Sequence, residues 1–472
     1  MSDDKISTFG LSRRRLLELT GGTVAAAGVT SAATSATAAD QRLVFDDPAR
    51  LNPPGKYGYE PSVVVDEYGT IYATAHKSSV TNEGTRLSSW FWYSTDGGET
   101  WQDMPSAAQV DNKQYALEGD IAIDGQDRVY YVDTYAAENH LNRWLAEPSG
   151  PVWDYSKPAQ QTTAVDDRPW LQAHGDGIVY YLGNNGLGVP APNDDPGGTS
   201  RIWFYRSSDG GLTWTPGFGL PTTGYCSIAA DKSAPVDADL STKPIHVATD
   251  DGGRLELYHS TNAGQDWTFE GKDEPIYEYQ YGSNDPFPVW SATDRAGNPY
   301  HFTVDDDPAD DTAGRLLFVR GAPGAWDILD IADEAPGVNT FTKPWIDGGS
   351  EGFAALTFYG SPDTGAGDKT WHTYALVTPD AQAPEPDWYF EQVTDAPISE
   401  TDEPEDFFEC AVGLDDSVHI TYGRNLDYPP GTVFNPTRTY NNNLFHVRGR
   451  LVAEDTDDGD RPGQGNAPVD AS

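Results

Sequence analysis

Residues Ser94–Trp101 read S-T-D-G-G-E-T-W, and this stretch decides the fold. Two further copies occur, S-S-D-G-G-L-T-W at Ser207–Trp214 and S-T-N-A-G-Q-D-W at Ser260–Trp267. Each follows a short apolar or aromatic run, such as Trp90–Tyr93 before the first copy. An Asp or Asn side chain accepts hydrogen bonds from the amides of its own turn, Gly allows a positive φ, and Trp brings a large apolar face to the next strand. The pattern therefore predicts three hairpin turns.

The three turns resemble the Asp box, or BNR repeat, of sialidase-like β-propellers. The first two copies match that pattern fully, whereas the third has Asn262 in place of Asp and Ala263 before its Gly. The resemblance implies an all-β propeller in which these turns join the two outer strands of a blade, on the face opposite the active site. Three copies are strong evidence for a β-propeller, but they are weak evidence for any particular enzymatic reaction.

A second repeat consists of a polar residue, an apolar strand, a turn and another strand. Its seven units begin at Glu60, Glu118, Arg168, Tyr225, Asp285, Lys343 and Glu409. Self-similarity at a spacing of about 50–65 residues indicates a propeller or a solenoid. A Trp opens a further strand after six of these units, at Trp101, Trp153, Trp214, Trp267, Trp326 and Trp388. We expect seven four-stranded blades, with Gln41–Phe45 completing the last one. Six blades, the number found in sialidases, is the alternative.

Three segments are expected along the chain. Residues 1–39 resemble a twin-arginine (Tat) export signal, because Arg13 and Arg14 precede an Ala-rich, weakly apolar stretch that ends at Ala36–Ala39. Residues 40–452 are expected to form the propeller domain, and residues 453–472 an acidic, disordered tail. No later apolar run has the length of a membrane span, so no transmembrane segment is expected. The protein is therefore expected to be secreted and extracellular.

The charge of the chain constrains its environment and its partners. There are 74 Asp and Glu against 30 Lys and Arg, which gives a formal net charge of -44. This composition resembles that of secreted proteins from halophilic archaea, because concentrated salt screens the repulsion among carboxylates. No basic stripe is present to offset phosphates, which excludes nucleic acid as a partner.

Stability is expected to rise steeply with salt. The Debye length falls from about 30 Å at about 0.01 M to about 3 Å at about 1 M, so the repulsion becomes short-ranged over that interval. The melting temperature, measured across these concentrations, should climb throughout. A melting temperature that does not change with salt would contradict the halophilic interpretation.

The residues that open the seven units are expected to form a ring around the mouth of the central channel. The predicted catalytic residues are Glu60, Glu118, Arg168, Tyr225 and Lys343. The predicted substrate-binding residues are Asp285, Glu409, Arg424 and Asn425. Hydrolysis of a glycan needs an acid, a base or nucleophile, and cations if the substrate is anionic, and these residue types supply all three. The same charges could instead neutralise one another in a structural network.

Backbone chemistry adds one expectation about these residues. Arg168-Pro169-Trp170 and Lys343-Pro344-Trp345 share the form cation-Pro-Trp. Because Pro biases the preceding residue towards an extended backbone, we expect the Arg168 and Lys343 side chains to project from extended strands. The Trp that follows could pack between blades or line a platform for sugar.

The resemblance also implies what the activity would be. Sialidases hold the substrate carboxylate with three arginines and use a Tyr nucleophile with a Glu partner and an Asp acid. In this chain Arg168 and Arg424 could be two such arginines, and Tyr225 could be the nucleophile. Glu60-Pro61 stands where the family has an Arg-Ile-Pro motif, and a third arginine is not evident.

The sequence therefore predicts a monomeric, exo-sialidase-like glycoside hydrolase or a related carbohydrate-active enzyme. Its partner would be an extracellular glycan or glycoconjugate, cleaved by hydrolysis or, for a uronic acid polymer, by elimination. The alternative is a non-catalytic propeller that binds a cell-surface glycan or protein. The sequence carries no zinc-binding H-E-x-x-H pattern and no Gly-rich phosphate loop, so no cofactor and no metal site are predicted.

Overall fold

A computed structural model describes most of the propeller region of the chain. The described residues are 41–54, 56–77, 89–105, 116–135, 138–158, 166–185, 202–215, 218–222, 225–234, 236, 239–271, 273–280, 289–307, 310–365, 367–400, 404–405, 407–425 and 442–453. The predicted export signal and the predicted acidic tail from residue 454 onward lie outside these residues. Within them, no helix is long and apolar enough to cross a membrane.

The first half of the described chain forms two leading strands and three blades. The leading strands are β1 (Gln41–Phe45) and β2 (Ala49–Arg50). Blade 1 contains β3 (Gly58–Val65), β4 (Ile71–Lys77), β5 (Ser89–Ser94) and β6 (Gln102–Asp103). Blade 2 contains β7 (Ala116–Ile123), β8 (Arg128–Tyr135), β9 (Glu138–Leu145) and β10 (Val152–Pro158). Blade 3 contains β11 (Asp166–His174), β12 (Ile178–Asn185), β13 (Ile202–Ser207) and β14 (Phe218–Leu220).

The second half forms four more blades and two short 3₁₀ helices. Blade 4 contains β15 (Cys226–Ala230), β16 (Ile245–Asp250), β17 (Arg254–Ser260) and β18 (Thr268–Glu270), with β19 (Tyr277–Glu278) also paired to β17. Blade 5 contains β20 (Trp290–Thr293), β21 (Pro299–Asp307), β22 (Asp310–Ala322) and β23 (Ala325–Asp330). Blade 6 contains β24 (Thr340–Gly348), β25 (Ala354–Ser361), β26 (His372–Thr378) and β27 (Tyr389–Gln392). Blade 7 contains β28 (Glu409–Val412), β29 (Val418–Arg424), β30 (Asn443–Ala453) and β1. The 3₁₀ helices are Leu240–Thr242 and Ala332–Glu334.

The seven blades form a closed ring. Each innermost strand contacts the innermost strand of the next blade, and β28 of blade 7 contacts β3 of blade 1. The two ends of the ring are joined by antiparallel pairing of β1 with β30, from Gln41 opposite Ala453 to Phe45 opposite Gly449. The predictions of an all-β propeller, of seven rather than six blades, and of closure by the N-terminal strand are therefore confirmed. Closure also covers the strand edge that an open sheet would expose.

The three repeated turns make the expected hydrogen bonds. In the first, Asp96 Oδ1 accepts from the Thr100 N–H at 2.9 Å, and the Gly98 N–H donates to Ser94 Oγ at 2.9 Å. The equivalent bonds around Asp209 and Asn262 are 2.8–2.9 Å long. These turns join the third and fourth strands of blades 1, 3 and 4, so they lie on the face of the ring opposite the starts of the inner strands. This face is called the turn face below, and the other the mouth face.

A second set of turns, between the first and second strands, is anchored by a polar side chain. Four buried tyrosine hydroxyls bond to the residue that begins the turn, in the pairs Tyr72–Asp66, Tyr130–Asp124, Tyr180–His174 and Tyr300–Asp294. The same Asp side chains reach the neighbouring blade, because Asp124 Oδ2 accepts from Gly177 N–H at 3.1 Å and Asp294 Oδ2 from Gly352 N–H at 2.8 Å. One carboxylate thus closes a turn and clamps two blades together.

Asp127→Asn is expected to stabilise the protein by about 1 kcal/mol at alkaline pH. Burial, and then the neighbouring carboxylates of Glu67, Asp66 and Asp124, raise the pKa of Asp127 to about 8. A raised pKa means that the folded state keeps a proton which the unfolded state has already released, so this group's contribution to stability falls as pH rises from about 4 to about 8. Asn does not titrate, and it tolerates the φ of 59° found at this position. Unfolding at pH 5 and pH 9 in constant salt measures the difference.

Asp416→Asn is the matched control for that substitution. Asp416 also has a left-handed backbone, with φ 58°, but its carboxylate pairs with Arg295. Loss of that pair should destabilise the protein at both pH values. A wild-type advantage over Asp127→Asn that grows with pH would contradict the prediction.

The turns also fix how the inner strands align. In every blade, the residue that begins the turn between the first and second strands lies opposite the residue that ends this turn. Asp66 opposite Thr70 and Gly413 opposite Ser417 are examples. Counting six residues back from these turns gives, among the described residues, Glu60, Glu118, Arg168, Tyr225, Lys343 and Phe407. Counting four residues back gives Ser62, Asp120, Trp170, Ser227, Trp290, Trp345 and Glu409. This register agrees with the alignment from sequence for Glu60, Glu118, Arg168, Tyr225 and Lys343, whereas Glu409 lies two residues further along its strand. Asp285 lies outside the described residues.

Candidate functional site

Glu60 and Lys343 lie near the starts of the inner strands of blades 1 and 6 and have an unusual backbone conformation. Both have φ of 52°, the left-handed region that residues other than Gly rarely adopt. Each lies in a break of strand register, between Tyr59 and Ser62 in β3 and between Thr342 and Trp345 in β24. The extended backbone expected before Pro is therefore wrong at Lys343. The bulge turns their side chains away from the strand's regular alternation.

Two other predicted residues lie in equivalent breaks of register. In β11 the break falls between Asp167 and Trp170, which includes Arg168, and in β7 between Ala116 and Gly119, which includes Glu118. The backbones at Glu118 and Arg168 are thus placed at the mouth face, whereas their side chains lie outside the described part of the structure. Asp285 lies outside the described residues altogether.

His76 is the side chain beside Glu60. Its Nε2 lies 3.7 Å from Glu60 Oε2 and accepts a hydrogen bond from the Gly119 N–H at 3.2 Å. A nitrogen that accepts carries no proton, so Nε2 has none to give to Glu60. Burial lowers the pKa of His76 to about 3, which keeps the ring neutral. The contact is therefore not an ion pair.

Glu405 organises the backbone around Glu60, and sequence reasoning missed it. Its carboxylate accepts from the Tyr359 hydroxyl and the Gly423 N–H, both at 2.6 Å, from Asn442 Nδ2 at 2.8 Å, and from the Glu60 N–H at 3.2 Å. Four donors from four segments of chain meet on one buried side chain. Glu405 thus holds the left-handed Glu60 in place, as strained residues require.

The remaining predicted residues are spread along the mouth face. Lys343 is buried, at 4% exposure, and Tyr225 is half-buried, with its carbonyl accepting from Thr249 Oγ1 at 2.8 Å. Arg424 is half-buried at the end of β29. Asn425 is buried, and its Nδ2 donates to Ser399 Oγ at 3.0 Å. Tyr225 and Lys343 lie near the starts of inner strands, and Arg424 and Asn425 lie at the end of the second strand of blade 7.

Aromatic side chains fill the channel below the mouth. The ring centroids of Trp170 and Trp290 lie 4.6 Å apart and those of Trp290 and Trp345 lie 3.6 Å apart. Phe407 packs against Trp170 at 5.1 Å. The three indoles come from blades 3, 5 and 6 and meet on the axis because they occupy the same level of their inner strands. The Trp of the two cation-Pro-Trp segments therefore packs in the channel rather than offering a platform for sugar.

Asp120 and Glu409 complete this level of the channel. Asp120 accepts from the Ile121 and Leu171 N–H groups, each at 2.7 Å, and Glu409 Oε2 accepts from the Val63 N–H at 3.1 Å. Burial raises the pKa of Asp120 to about 7, and burial together with the charge of Asp120 raises that of Glu409 well above its usual range. Glu409, predicted to bind substrate at the mouth, lies instead in the channel, 3% exposed.

A cationic and aromatic group lies at the rim of blade 1. Lys56 Nζ and Lys77 Nζ lie 4.8 Å and 4.2 Å from the ring centroid of Trp90, and Tyr59 stacks on His76 at 5.0 Å. Two ammonium groups on one indole form a cation–π arrangement. Sequence reasoning placed His76 and Lys77 at this face but missed their contacts with Tyr59 and Trp90, because the members come from three separate segments around β3, β4 and β5.

Comparisons with known proteins concern the fold alone. No family model and no curated protein matches the chain. Among solved structures, the NanB sialidase from Streptococcus pneumoniae is 12% identical, with 86% of this chain and 70% of that chain covered and a TM-score of 0.41. AofleA from Arthrobotrys oligospora is 10% identical over 76% of this chain and 91% of that chain, with a TM-score of 0.44. A protein of unknown function from Dyadobacter fermentans is 13% identical over 87% and 99%, with a TM-score of 0.44.

Proposed function

We propose that the chain is a secreted, sialidase-like glycoside hydrolase that acts on extracellular glycans at the mouth face. The observation that carries the proposal is the matched backbone strain at Glu60 and Lys343. A carboxylate in one blade and an ammonium in another occupy the same level of the ring, each at φ 52° in a strand bulge. Such strain is costly and collects at active sites, where it positions reacting groups.

The proposed roles follow from residue chemistry. Glu60 and Glu118 supply the acid and the base, Tyr225 is the nucleophile of a covalent route, and Arg168 and Lys343 bind an anionic substituent of the sugar. Arg424, Asn425 and Asp285 would bind substrate at the rim. Glu409 is left out of this set because it lies in the channel.

Glu118→Gln and Arg168→Ala are expected to lower turnover at least tenfold, about 1.4 kcal/mol, with little change in melting temperature. Both residues lie in bulges at the mouth, so their side chains are not expected to carry the fold. The assay is release of reducing sugar from a panel of glycans in molar salt, beside thermal unfolding of each variant. Asp209→Asn, on the turn face, is the matched control and should keep full turnover.

Loss of stability without loss of turnover would show that the ring is a structural network. Release of no sugar from any glycan by the wild-type protein would overturn the proposed activity, provided that the protein is folded at the salt concentration used.

The burial of Glu60 and Lys343 favours a second function, which is the binding of a glycan without catalysis. Glu60 is 2% exposed and Lys343 4% exposed, and the channel beneath them is filled. A sugar ring could then reach only the rim, where Lys56 and Tyr59 are half-buried. Under this alternative the same panel would show saturable binding of a glycan with no product, and Lys56→Ala would weaken that binding.

A further inference from the structure

The ring closes where blade 7 meets blade 1, and this contact, called the seam below, contains a pair of buried histidines. His419 on β29 is 3% exposed and His446 on β30 is 1% exposed. Nδ1 of His419 lies 3.1 Å from Nε2 of His446. His446 also packs edge-on against Trp101 of blade 1, with the ring centroids 5.1 Å apart. The imidazole pair therefore forms part of the contact between the last blade and the first.

The position of His446 is occupied by apolar side chains at the other two repeated turns. The fifth residue of each turn is a Gly with a positive φ, and it lies against a side chain from the third strand of the preceding blade. This side chain is Leu141 beside Gly211, Phe204 beside Gly264, and His446 beside Gly98. Of the three turns, the one at the seam is therefore the one with an ionisable group at this position.

A chain of hydrogen bonds that ends at one carboxylate decides which nitrogens of the pair carry protons. Ser417 Oγ donates to Asp415 Oδ1 at 2.5 Å, because an ionised carboxylate can only accept. Ser417 Oγ lies 2.9 Å from His419 Nε2, so this nitrogen carries a proton and donates to the hydroxyl. Nδ1 of His419 then accepts, and Nε2 of His446 is its donor. The chain is satisfied when both rings are neutral.

A proton added to either ring appears at the contact with blade 1. Protonation of His446 places an N–H on its Nδ1, which faces Gly98 so closely that a Cβ built on this Gly would lie 2.4 Å from the nitrogen. Protonation of His419 places an N–H on its own Nδ1, opposite the N–H of His446 Nε2, so His446 has to move its proton to Nδ1. Both routes put an N–H against the tightly packed Gly and a charge in a buried site, which costs free energy.

Among the described residues, the charged groups around the pair already have other partners or are exposed. Asp415 pairs with Arg448 at 2.7 Å and Asp46, after β1, pairs with Arg450 at 2.9 Å, so each of these carboxylates already faces a cation. The repeated turn of blade 1 and β2 contribute Asp96, which bonds within its own turn, the exposed Glu99, and Arg50, which bonds to Asn443.

Burial keeps both imidazoles neutral. Burial, and then the nearby guanidinium of Arg448, lowers the pKa of His419 to about 4. Burial, and then the neighbouring His419, lowers the pKa of His446 well below its usual range. An unfolded or detached His takes up a proton near pH 6.5. The seam therefore contributes its full stability above about pH 6.5 and loses it as pH falls towards about 4.

We propose that the seam is a pH-sensitive junction, at which acid loosens the contact between blades 7 and 1 while the other blades stay packed. The hydrogen-bonded histidine pair and its close approach to Gly98 are the switch. The junction also bears on the mouth face, because the bond from the Glu60 N–H to Glu405 joins blade 1 to the segment before β28. Opening of the seam in acid therefore also releases the backbone at Glu60.

Hydrogen exchange of the protein in molar NaCl tests the junction, with each rate divided by the intrinsic rate at the same pH. We expect residues 41–45 and 94–101 to exchange at least about tenfold faster at about pH 4.5 than at about pH 7.5, because the open seam takes up protons that the closed one excludes. Residues 207–214, whose Gly211 lies against Leu141, are the internal control and should not change. Equal loosening of the two turns, or of neither, overturns the proposal.

Two variants separate the seam from other buried histidines. His446→Phe places the residue type of Phe204 at the seam and should abolish the acid response of residues 94–101. His301→Phe removes an imidazole of blade 5 that is 1% exposed and should leave that response intact. Should His446→Phe not fold, His446→Gln keeps a donor for His419 Nδ1 without a titrating ring and should likewise abolish the response. An acid response that survives substitution of His446 overturns the proposal, and the glycosidase assay is independent of these results.

Discussion

Leu43→Ala is expected to lower the free energy of unfolding by about 2–4 kcal/mol, the cost of removing buried methyl groups and leaving a cavity. Leu43 is 2% exposed and belongs to β1, the strand that completes blade 7 by pairing with β30. Because this pairing joins the two ends of the ring, its loss weakens closure as well as the local core. Denaturant unfolding in molar salt measures the change.

Gln41→Ala, at an exposed position of the same strand, is the control and should change stability by less than about 0.5 kcal/mol. Equal effects of the two substitutions would show that β1 contributes no side-chain packing. A Leu43→Ala variant within 1 kcal/mol of the wild type would contradict the importance of β1 for closure, since about 2 kcal/mol is the least that a buried Leu should cost.

Trp290→Ala is expected to cost about 3–5 kcal/mol, the largest single-residue effect we predict. The indole is 4% exposed and contacts two other indoles in the channel, Trp170 and Trp345. Its removal leaves a cavity that the rigid inner strands cannot close, because each is paired within its own blade. Thermal and denaturant unfolding report the loss, and near-ultraviolet circular dichroism reports the change in Trp packing.

Trp290→Phe keeps an aromatic ring in the channel and should cost less than Trp290→Ala. An alanine variant as stable as the phenylalanine variant would mean that the channel collapses around the gap, and the aromatic filling would then not support the ring.

Most of the fold was predictable from the sequence because its signals are local. In a turn such as Ser94–Trp101, the side chains accept hydrogen bonds from the amides of the same turn. Such a turn can therefore be recognised in the sequence without knowledge of the segments that surround it. The strand count followed from the same periodicity, and Gln41–Phe45 was the one segment left to complete blade 7. The turns begun by Asp66, Asp124 and Asp294 were equally local, each with a Tyr six residues on, but their repeat escaped notice.

The candidate site was less predictable because contacts between blades decide it. The polar residue at the start of each unit is a poor marker of register, which is why Glu409 was placed at the mouth and lies in the channel. Glu405 and His76 gain their roles from segments far away in the chain, as the bonds from Asn442 and Gly119 show. The left-handed backbone at Glu60 runs against the preference set by Pro61, and only the surrounding contacts impose it.

The filled channel limits how the number of blades can change. Three indoles from blades 3, 5 and 6 contact one another between the inner strands of the seven-bladed ring. An eighth blade, gained by duplication of one repeat, would widen the axis and leave a void around Trp170, Trp290 and Trp345. Loss of a blade would press them into overlap, and both changes carry the costs of a cavity or of overpacking. Duplication of one blade would therefore have to be matched by substitutions in three others before the longer ring became stable.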